Sequence, residues 1–261
     1  MAGESVRKGW RIVVDGFHLG NDSIPAVMWA SVLWFIVGAA PTLFWGLTWA
    51  GTVQSPSRLL AAFLLMLTAA LLLSPATVAA HALMLMVRRR EPTGFRAFFT
   101  AFAHHYRRAA GVGLAMSVIG VVVLSDITFF YQSSHVVLRL LSIVWLYFVL
   151  FWLLMMNYAP AMVVWQPQTD VLTLLKRSAL LVLDNLVVTL VISAAALTYL
   201  AGSVLLRVPF FLIFMGAVAA LETAAVERLL SRYLEEEPEQ EPSGEQDDED
   251  EAAGSGADEP S

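Results

Sequence analysis

The sequence predicts an all-α membrane protein with six transmembrane helices, amphipathic cytoplasmic helices and a disordered acidic C-terminal tail. Three observations support this fold class. Hydrophobic residues make up 58% of the chain, whereas soluble domains are about 45–50% apolar. Six stretches approach the roughly 20 apolar residues that a helix needs to cross a bilayer. Basic residues concentrate in alternate connections between these stretches, as in proteins that cross a membrane several times.

The chain divides into three parts. We expect residues 1–22 to form a cytoplasmic amphipathic segment, residues 23–234 to form the transmembrane domain and residues 235–261 to form the tail. The predicted spans are residues 24–50, 59–87, 109–131, 140–165, 186–206 and 208–227. The first span is too long for the apolar core of a signal peptide, which indicates that it is retained.

The basic residues orient these spans. The N-terminal segment, the connections after spans 2 and 4 and the C-terminal flank together carry 13 Lys and Arg residues. The opposite side carries Arg58, Arg139 and Arg207. Because cytoplasmic connections are enriched in basic residues, we expect both termini in the cytoplasm.

The connection after span 2 contains an aromatic helical face. Phe95, Phe98, Phe99 and Phe102 fall at i, i+3, i+4 and i+7, which is one face of a helix. Such a helix lies in the membrane interface, with its rings at the acyl boundary and its cations at the headgroups. The alternative is a helix docked against the cytoplasmic end of the bundle. The residues assigned to contacts with lipid or a partner are Arg88, Arg89, Arg90, Phe95, Phe98, Phe99, Phe102, Arg107 and Arg108.

Amphipathic segments also precede spans 1 and 5. Residues 6–17 repeat the helical spacing of apolar side chains, and residues 170–184 have a helical pattern with Thr169 as the expected N-cap. This pattern suggests a unit of one cytoplasmic helix and two spans that occurs three times. The alternative is three ordinary hairpins, each with an amphipathic segment before it.

The C-terminal tail differs in composition from the rest of the chain. Residues 235–261 hold 13 acidic residues and no basic one, interspersed with Pro, Gly and Ser. The preceding residues hold all 16 basic residues against the remaining 9 of the 22 acidic ones. A segment as polar and charged as this tail cannot bury enough apolar surface to fold, so we expect it to be disordered.

Ionisable residues at membrane depth are candidates for function, because leaving one unpaired there is costly. Asp126, near the outer end of span 3, and Arg139, at the start of span 4, reach similar depths. This favours a structural ion pair, and the alternative is a cation or proton site that faces an outer cavity. His81 and Glu222 both lie toward the inner halves of their spans, at depths that allow them to pair. Alternatively, His81 is a packed ring and Glu222 is hydrated at the interface.

Span 4 also contains a polar residue, Asn157, and a helix-breaking residue, Pro160. Asn157 is the remaining candidate of the intramembrane polar site, and Pro160 is expected to free the Met156 carbonyl and kink the helix. Pro75 is expected to act similarly in span 2. Faces of small residues, typical of close packing between membrane helices, comprise Gly113, Ser117 and Gly120, and separately Gly216, Ala220 and Ala224.

Patterns for catalysis and metal binding are absent from the sequence. The chain has no cysteine, which excludes disulfides and thiolate metal sites. It has no glycine-rich phosphate loop, no HExxH and no GxSxG. We therefore expect a protein that is not an enzyme and has no catalytic residue, metal or cofactor. The basic connections are expected to set the topology and contact anionic lipid, and not to bind nucleic acid.

Several motifs resemble the YesL-like family of uncharacterised bacterial membrane proteins. Residues 75–109 begin with a Pro-Ala-Thr run, continue through a basic stop that ends in Glu91, and finish with a Phe-rich stretch followed by arginines. The stretch LWFIVGAAPT is similar to the first span of the family, and LSDITFFY is similar to its third. The matching positions include Pro75, Ala76, Thr77, Arg90, Glu91, Phe95, Phe99 and Phe102. The resemblance implies a multi-pass protein of the bacterial plasma membrane that assists carbohydrate import.

The expected function is that of a non-enzymatic accessory or scaffold protein. Its expected partners are the lipid bilayer and subunits of a membrane transporter, specifically one that imports carbohydrate. The alternative is a small solute or ion transporter or channel that uses Asp126, Glu222 and His81.

Overall fold

The computed structural model describes residues 2–51, 57–206 and 209–235, and the regular structure within those ranges is helical. In chain order the α-helices are α1 (Ala2–Asp22), α2 (Ile24–Trp34), α3 (Ala40–Gly51), α4 (Ser57–Thr68), α5 (Ser74–Arg88), α6 (Phe95–Tyr131), α7 (Val136–Met156), α8 (Ala159–Trp165), α9 (Val171–Asp184), α10 (Leu186–Leu206) and α11 (Pro209–Glu235). Short π-helical turns join α2 to α3 and α4 to α5. Apart from Glu235, the predicted tail lies outside the described residues.

The helical class is confirmed, together with five of the six predicted spans as candidates. Within the described ranges, the segments long and apolar enough to cross a membrane are Ile24–Gly51, Leu60–Arg88, Phe95–Tyr131, Val136–Trp165 and Leu186–Ser203. The sixth predicted span lies mostly in helix α11. The side chains at its start, residues 208–211, lie outside the described residues, and the five candidates come from the described residues alone.

Two prolines shape the first two spans. Pro41 and Pro75 each follow a π-helical turn that ends two residues earlier, at Ala39 and Leu73. Proline lacks an N–H and its ring clashes with the carbonyl one turn before it, and a π-helical turn is one way in which a helix accommodates such an interruption. The kink predicted at Pro75 is therefore a local widening of a continuous helical segment. The two turns approach each other closely, because a Cβ added at Gly38 would lie 2.9 Å from Leu73 Cα.

The interruption predicted in the fourth span is present and is sharper than a kink. Helix α7 ends at Met156, a turn follows at Asn157 and Tyr158, and α8 begins at Ala159 with Pro160 in its first turn. Proline fits a first turn well because the N–H that it lacks has no partner there. The backbone N–H groups of Asn157 and Tyr158 donate to the carbonyls of Leu154 and Met155 across this break. Polar side chains described below lie at the same place.

The structure corrects the prediction for the aromatic segment. Phe95–Tyr131 is a single helix of 37 residues, about 55 Å long at 1.5 Å per residue, so its first turns do not form a separate helix lying flat in the interface. Phe98 is fully buried and Phe102 packs against the same core cluster, whereas Phe95 and Phe99 are 53% and 38% exposed. The aromatic face therefore docks against the helical bundle with two of its rings, and the alternative of a docked helix holds. The reason is packing, because Phe98 contributes to a core shared with α2, α5 and α11.

Helix α1 packs on α11 through a face of small residues. A Cβ added at Gly16 would lie 2.6 Å from Leu221 Cα, so the two backbones are in direct contact. Ile12 and Leu19 on the same face are buried, whereas Trp10 and Phe17 are 62% and 57% exposed. The predicted apolar stripe of α1 is thus largely exposed, although its Val13 is partly buried against the core. A different face makes the closest contact with the bundle.

Helix α11 runs in the same direction as α5. Glu222 contacts His81, and five residues later Glu227 pairs with Arg88, whose Nε lies 2.9 Å from Glu227 Oε2. The next residue, Arg228, forms an ion pair with Asp15 of α1. These contacts place the C-terminal half of α11 beside the C-terminal half of α5, at the end of the bundle where α1 also packs.

Asp170, and not the expected Thr169, caps helix α9. The Thr173 backbone N–H donates to Asp170 Oδ2 at 3.0 Å, and this hydrogen bond holds the pKa of the Asp170 carboxyl below its usual value. The backbone N–H of Thr169 instead donates to the Gln166 carbonyl in the preceding turn. A carboxylate also suits this position because the helix N-terminus carries partial positive charge.

We expect the first turn of α9 to loosen at acid pH. Since the folded pKa of Asp170 is lowered, its contribution to stability is present above the ordinary carboxyl pKa and is lost as the pH falls through the lowered one. Amide exchange at residues 172–174, corrected for intrinsic rates, should therefore accelerate in acid. In Asp170→Asn, whose amide oxygen caps without titrating, this pH dependence should be absent. The same acceleration in the variant would contradict this assignment.

Candidate functional site

Two buried ionisable side chains, His81 on α5 and Glu222 on α11, are in direct contact. His81 Nε2 lies 2.7 Å from Glu222 Oε2, and the two residues are only 1% and 5% exposed. The other ring nitrogen, Nδ1, lies 2.8 Å from the Thr77 carbonyl oxygen one turn earlier. The structure thus brings together the two inner candidates of the predicted intramembrane site.

The hydrogen bonds restrict where the protons of this pair reside. A carbonyl oxygen only accepts, so His81 Nδ1 carries a hydrogen and donates it to Thr77. Nε2 and the Glu222 carboxyl then share one proton in one of two forms. Either a neutral imidazole accepts from a protonated carboxyl, or an imidazolium donates to a carboxylate. Removing that proton leaves two acceptors facing each other, so the contact is built around a single proton.

Helix geometry and small side chains position the pair. Thr77 also bonds through its hydroxyl, which accepts from Trp34 Nε1 at 2.9 Å and donates to the Leu73 carbonyl at 2.8 Å. These bonds connect the His81 helix to α2 and to the π-helical turn before Pro75. Alanine favours helix and allows backbones to approach closely, and the buried alanines near the pair are Ala79, Ala80, Ala82, Ala219, Ala220, Ala224 and Ala225.

A second buried hydrogen-bonded group lies next to the break in the fourth span. The Tyr158 hydroxyl is 2.8 Å from Thr189 Oγ1, which in turn donates to the Asn185 carbonyl at 2.9 Å. Tyr158 and Thr189 have no measurable exposure. Tyr158 also packs in one core cluster with Val78, which lies one turn before His81, and with Leu221, which precedes Glu222. The break, α10 and the His81 pair therefore belong to one polar region inside the bundle.

Asn157 holds the break itself. Its side-chain amide donates to the Ser193 hydroxyl at 2.8 Å and to the Leu154 carbonyl at 3.2 Å. The Leu154 carbonyl, three residues earlier in the last turn of α7, also accepts from the Asn157 backbone N–H at 3.3 Å. Asn157 therefore caps the end of α7 through its backbone and its side chain, and the side chain ties α7 to α10.

The predicted ion pair between Asp126 and Arg139 is wrong. Arg139 is exposed, and its Nη2 donates to the Ser133 carbonyl at 3.2 Å in the turn between α6 and α7. No contact with Asp126 is present among the described residues. A long arginine side chain near a helix end reaches toward the more polar end of the helix, where a turn carbonyl is available. Asp126 is partly exposed on α6 and lies apart from the buried polar region.

The residues predicted to contact lipid or a partner, near the end of α5 and in the first turns of α6, have different roles in the structure. Arg88 pairs with Glu227, so one of the three consecutive arginines forms an ion pair between α5 and α11 while remaining exposed. Arg89 and Arg90 close α5 and are exposed, as is Arg107, whereas Arg108 is partly exposed. Phe98 belongs to the core, and the ring centroid of Phe95 lies 6.2 Å from that of Trp29 on α2. The sequence analysis assigned all of these residues to contacts with lipid or a partner.

Several residues of the polar region were not among the sequence candidates. Thr77, Tyr158, Thr189 and Ser193 are uncharged, and single hydroxyl side chains are common in membrane helices, so they gave no distinct signal. The spacing of Thr189 and Ser193 could have identified these two as a pair. Thr189 and Ser193 lie four residues apart on one face of α10 and therefore reach the break at adjacent heights.

The arrangement is suited to holding a proton. Among the described residues there is no group of three or more His, Asp or Glu side chains positioned to bind a metal. Both ring nitrogens of His81 already have hydrogen-bond partners, the Thr77 carbonyl and the Glu222 carboxyl. The site offers a buried acid–base pair with polar groups nearby.

One protein family matches part of the chain. Residues 27–127, less than half of the 261 residues, match a family described as a protein of unknown function, DUF624. The matched segment contains the motifs around Trp34, Pro75 and the phenylalanines, so the predicted resemblance to an uncharacterised family is confirmed. No curated protein and no solved structure matches the chain.

Proposed function

We propose that this chain, whose residues 27–127 match an uncharacterised family, is a non-enzymatic membrane accessory or scaffold protein. We propose further that it docks subunits of a transport system in the bacterial plasma membrane. The resemblance drawn from the sequence favours a carbohydrate importer as that system.

The membrane placement includes α11 as a sixth span, with both termini in the cytoplasm. Its direction supports this proposal, because α11 runs parallel to α5 from the level of His81 to that of Arg88. The asymmetry of 13 basic residues against Arg58, Arg139 and Arg207 supports the orientation. Under this placement the His81 pair lies toward the inner half of the bundle, about 10 Å from Arg88 at 1.5 Å per residue.

The observation that carries the scaffold proposal is the exposure of α7. In the most apolar 18-residue window of Val136–Trp165 only 6% of the residues are buried, against 28% for Phe95–Tyr131. A shallow groove of about 350 Å³ runs along this helix, lined by Ile143, Leu146, Tyr147, Val149, Leu150 and Leu153. Helices associate by packing side chains of one into grooves of the other, so this face suits a helix of a partner subunit.

Shortening three side chains of this groove tests the proposal. We expect Ile143→Ala, Leu146→Ala and Leu150→Ala together to reduce recovery of the partner about tenfold, because contacts worth about 1.4 kcal/mol correspond to that factor. The stability of the isolated protein should change little, since the three residues are 46–57% exposed. The measurement is affinity purification from native membranes followed by quantitative mass spectrometry.

The matched control replaces three exposed apolar residues on α3, which are 52–74% exposed, by Leu43→Ala, Phe44→Ala and Leu47→Ala. A stoichiometric transporter permease that is lost only in the α7 variant supports the proposal. A wild-type protein that purifies without a partner contradicts it, as does an equal loss in both variants.

The His81 pair favours a second candidate function, proton-linked transport. A buried contact built around one proton is the kind of site that such transporters use. After reconstitution into vesicles that contain a pH-sensitive dye, this function predicts solute-driven proton flux in the wild type and none in Glu222→Gln. Absence of flux across a panel of sugars and small cations would contradict proton-linked transport, and only the scaffold function would remain.

A further inference from the structure

A polar groove lies where α1, α2 and α5 meet. It has a volume of about 590 Å³ and is lined by Leu19, Asp22, Ser23, Val87, Arg88, Arg90, Glu91 and Thr93. It therefore presents two guanidinium groups and two carboxylates around one space. Ser23 separates α1 from the first span and Arg88 ends the second, so under the membrane placement proposed above the groove lies at the level of the lipid headgroups.

The backbone at this groove is held in an unfavourable conformation. Arg90 has φ of +58°, the left-handed region in which glycine is the usual residue at the end of a helix. The Arg90 N–H donates to the Val87 carbonyl at 3.0 Å and the Glu91 N–H donates to the Met86 carbonyl at 2.9 Å, which is the pattern of a Schellman cap. An arginine here strains the backbone without improving the cap. Such strain often accompanies a functional requirement for the side chain.

Three of the four charged groups are available to a ligand. Arg88 is paired with Glu227. Arg90, Asp22 and Glu91 make no ion pair or side-chain hydrogen bond with any other residue in the described ranges. The groove therefore offers one cation and two carboxylates, which complement a ligand that carries both an anionic and a cationic group.

An apolar surface adjoins the groove. Phe95, two residues after Thr93, packs edge to face with Trp29 at a centroid distance of 6.2 Å. The two side chains are 53% and 43% exposed. Tryptophan commonly lies at the membrane interface, where one side is apolar and the other is wet. A ligand with its head in the groove can lay an acyl chain against this aromatic pair.

We propose that the polar groove binds the headgroup of a phospholipid that carries a primary amine, such as phosphatidylethanolamine. Arg90 binds the phosphodiester, and Asp22 and Glu91 accept hydrogen bonds from the ammonium group. An ammonium group has three N–H donors, whereas the trimethylated amine of phosphatidylcholine has none. The inference rests on the membrane placement proposed above and not on the transport partner.

The test titrates the full chain in detergent with dilauroyl phosphatidylethanolamine, phosphatidylcholine or phosphatidylglycerol and counts bound lipid by native mass spectrometry. The wild type should retain phosphatidylethanolamine about tenfold more tightly than phosphatidylcholine, a factor that one charge-assisted hydrogen bond supplies. The combined change Asp22→Asn and Glu91→Gln should bring this ratio close to one. Arg90→Gly should weaken binding of both lipids about tenfold.

Controls separate binding from folding. Arg90→Gly should keep or raise the melting temperature in lipid-free detergent, because glycine adopts the left-handed conformation without strain. Arg96→Gln, an exposed arginine outside the groove, should leave all affinities unchanged. Equal retention of phosphatidylethanolamine and phosphatidylcholine by the wild type would overturn the proposal. Preference for phosphatidylglycerol, or a ratio that survives the carboxylate changes, would overturn it as well.

Discussion

Replacing Glu222 with leucine is expected to lower the free energy of unfolding by about 3 kcal/mol, because it leaves the buried His81 without its partner. The two side chains meet at 2.7 Å and are 1% and 7% exposed, so neither can turn to water instead. Glu222→Gln should cost less than about 1 kcal/mol, since its amide N–H can donate to a neutral His81 Nε2 and keep the hydrogen bond. The measurement is reversible unfolding in mixed micelles.

The matched control for this prediction lies five residues further along the same helix. Glu227→Leu removes a carboxylate that pairs with a substantially exposed Arg88, and exposed pairs contribute about 0.2–1 kcal/mol. The double variant His81→Leu and Glu222→Leu should recover most of the stability lost in Glu222→Leu, because no polar group is then left unpaired. Equal costs for Glu222→Leu and Glu227→Leu would contradict the role assigned to the buried pair.

Adding a single methyl group at Gly216 is expected to cost about 3 kcal/mol, the upper end of the usual overpacking penalty. A Cβ there would lie 2.4 Å from the Val27 carbonyl oxygen and 2.7 Å from Val27 Cα. These are backbone atoms, so no side-chain rotation relieves the overlap and α2 must move away from α11. The same movement would break the hydrogen bond from the Gly216 N–H to Ser31 Oγ, which is 2.9 Å long.

Gly202→Ala is the control for the Gly216 prediction. Among the described residues, no atom outside the adjoining helix backbone lies within 4 Å of a Cβ added at Gly202. Alanine also favours helix over glycine by about 1 kcal/mol. Its stability in micelles should therefore equal or exceed that of the wild type. If Gly216→Ala is as stable as Gly202→Ala, the close contact between α2 and α11 does not exist in the protein.

The parts of the fold that could be predicted depend on local chemistry. Apolar length located five candidate spans, and proline located the interruption at Pro160. The small faces containing Gly113 and Gly216 were predicted as helix-packing surfaces, and both glycines are in close contact with another helix. Hydrophobic length, a proline and a row of small residues are each properties of a short stretch of sequence, so they can be identified without the fold.

The parts of the fold that could not be predicted depend on which of several possible partners each side chain contacts in the folded protein. Periodicity identified the face of Phe95 and Phe98, but a face that meets lipid and one that meets protein have the same spacing. Arg139 and Asp126 were correctly placed near one end of their hairpin, but the Ser133 carbonyl is nearer to the arginine along the chain. The partners of Tyr158 and Asn157 lie more than 30 residues away on α10, and only the folded arrangement identifies them.

The most direct test of the proposed membrane architecture is the accessibility of single cysteines to an impermeant maleimide. The chain has no native cysteine, so Gln132→Cys, Gln168→Cys and Ser231→Cys each report one exposed position. We expect Gln132→Cys to react from outside intact cells, and Gln168→Cys and Ser231→Cys to react only after the membrane is opened. Labelling of Ser231→Cys from the same side as Gln132→Cys would show that α11 does not cross the membrane, and would contradict the six-span arrangement on which the proposed function rests.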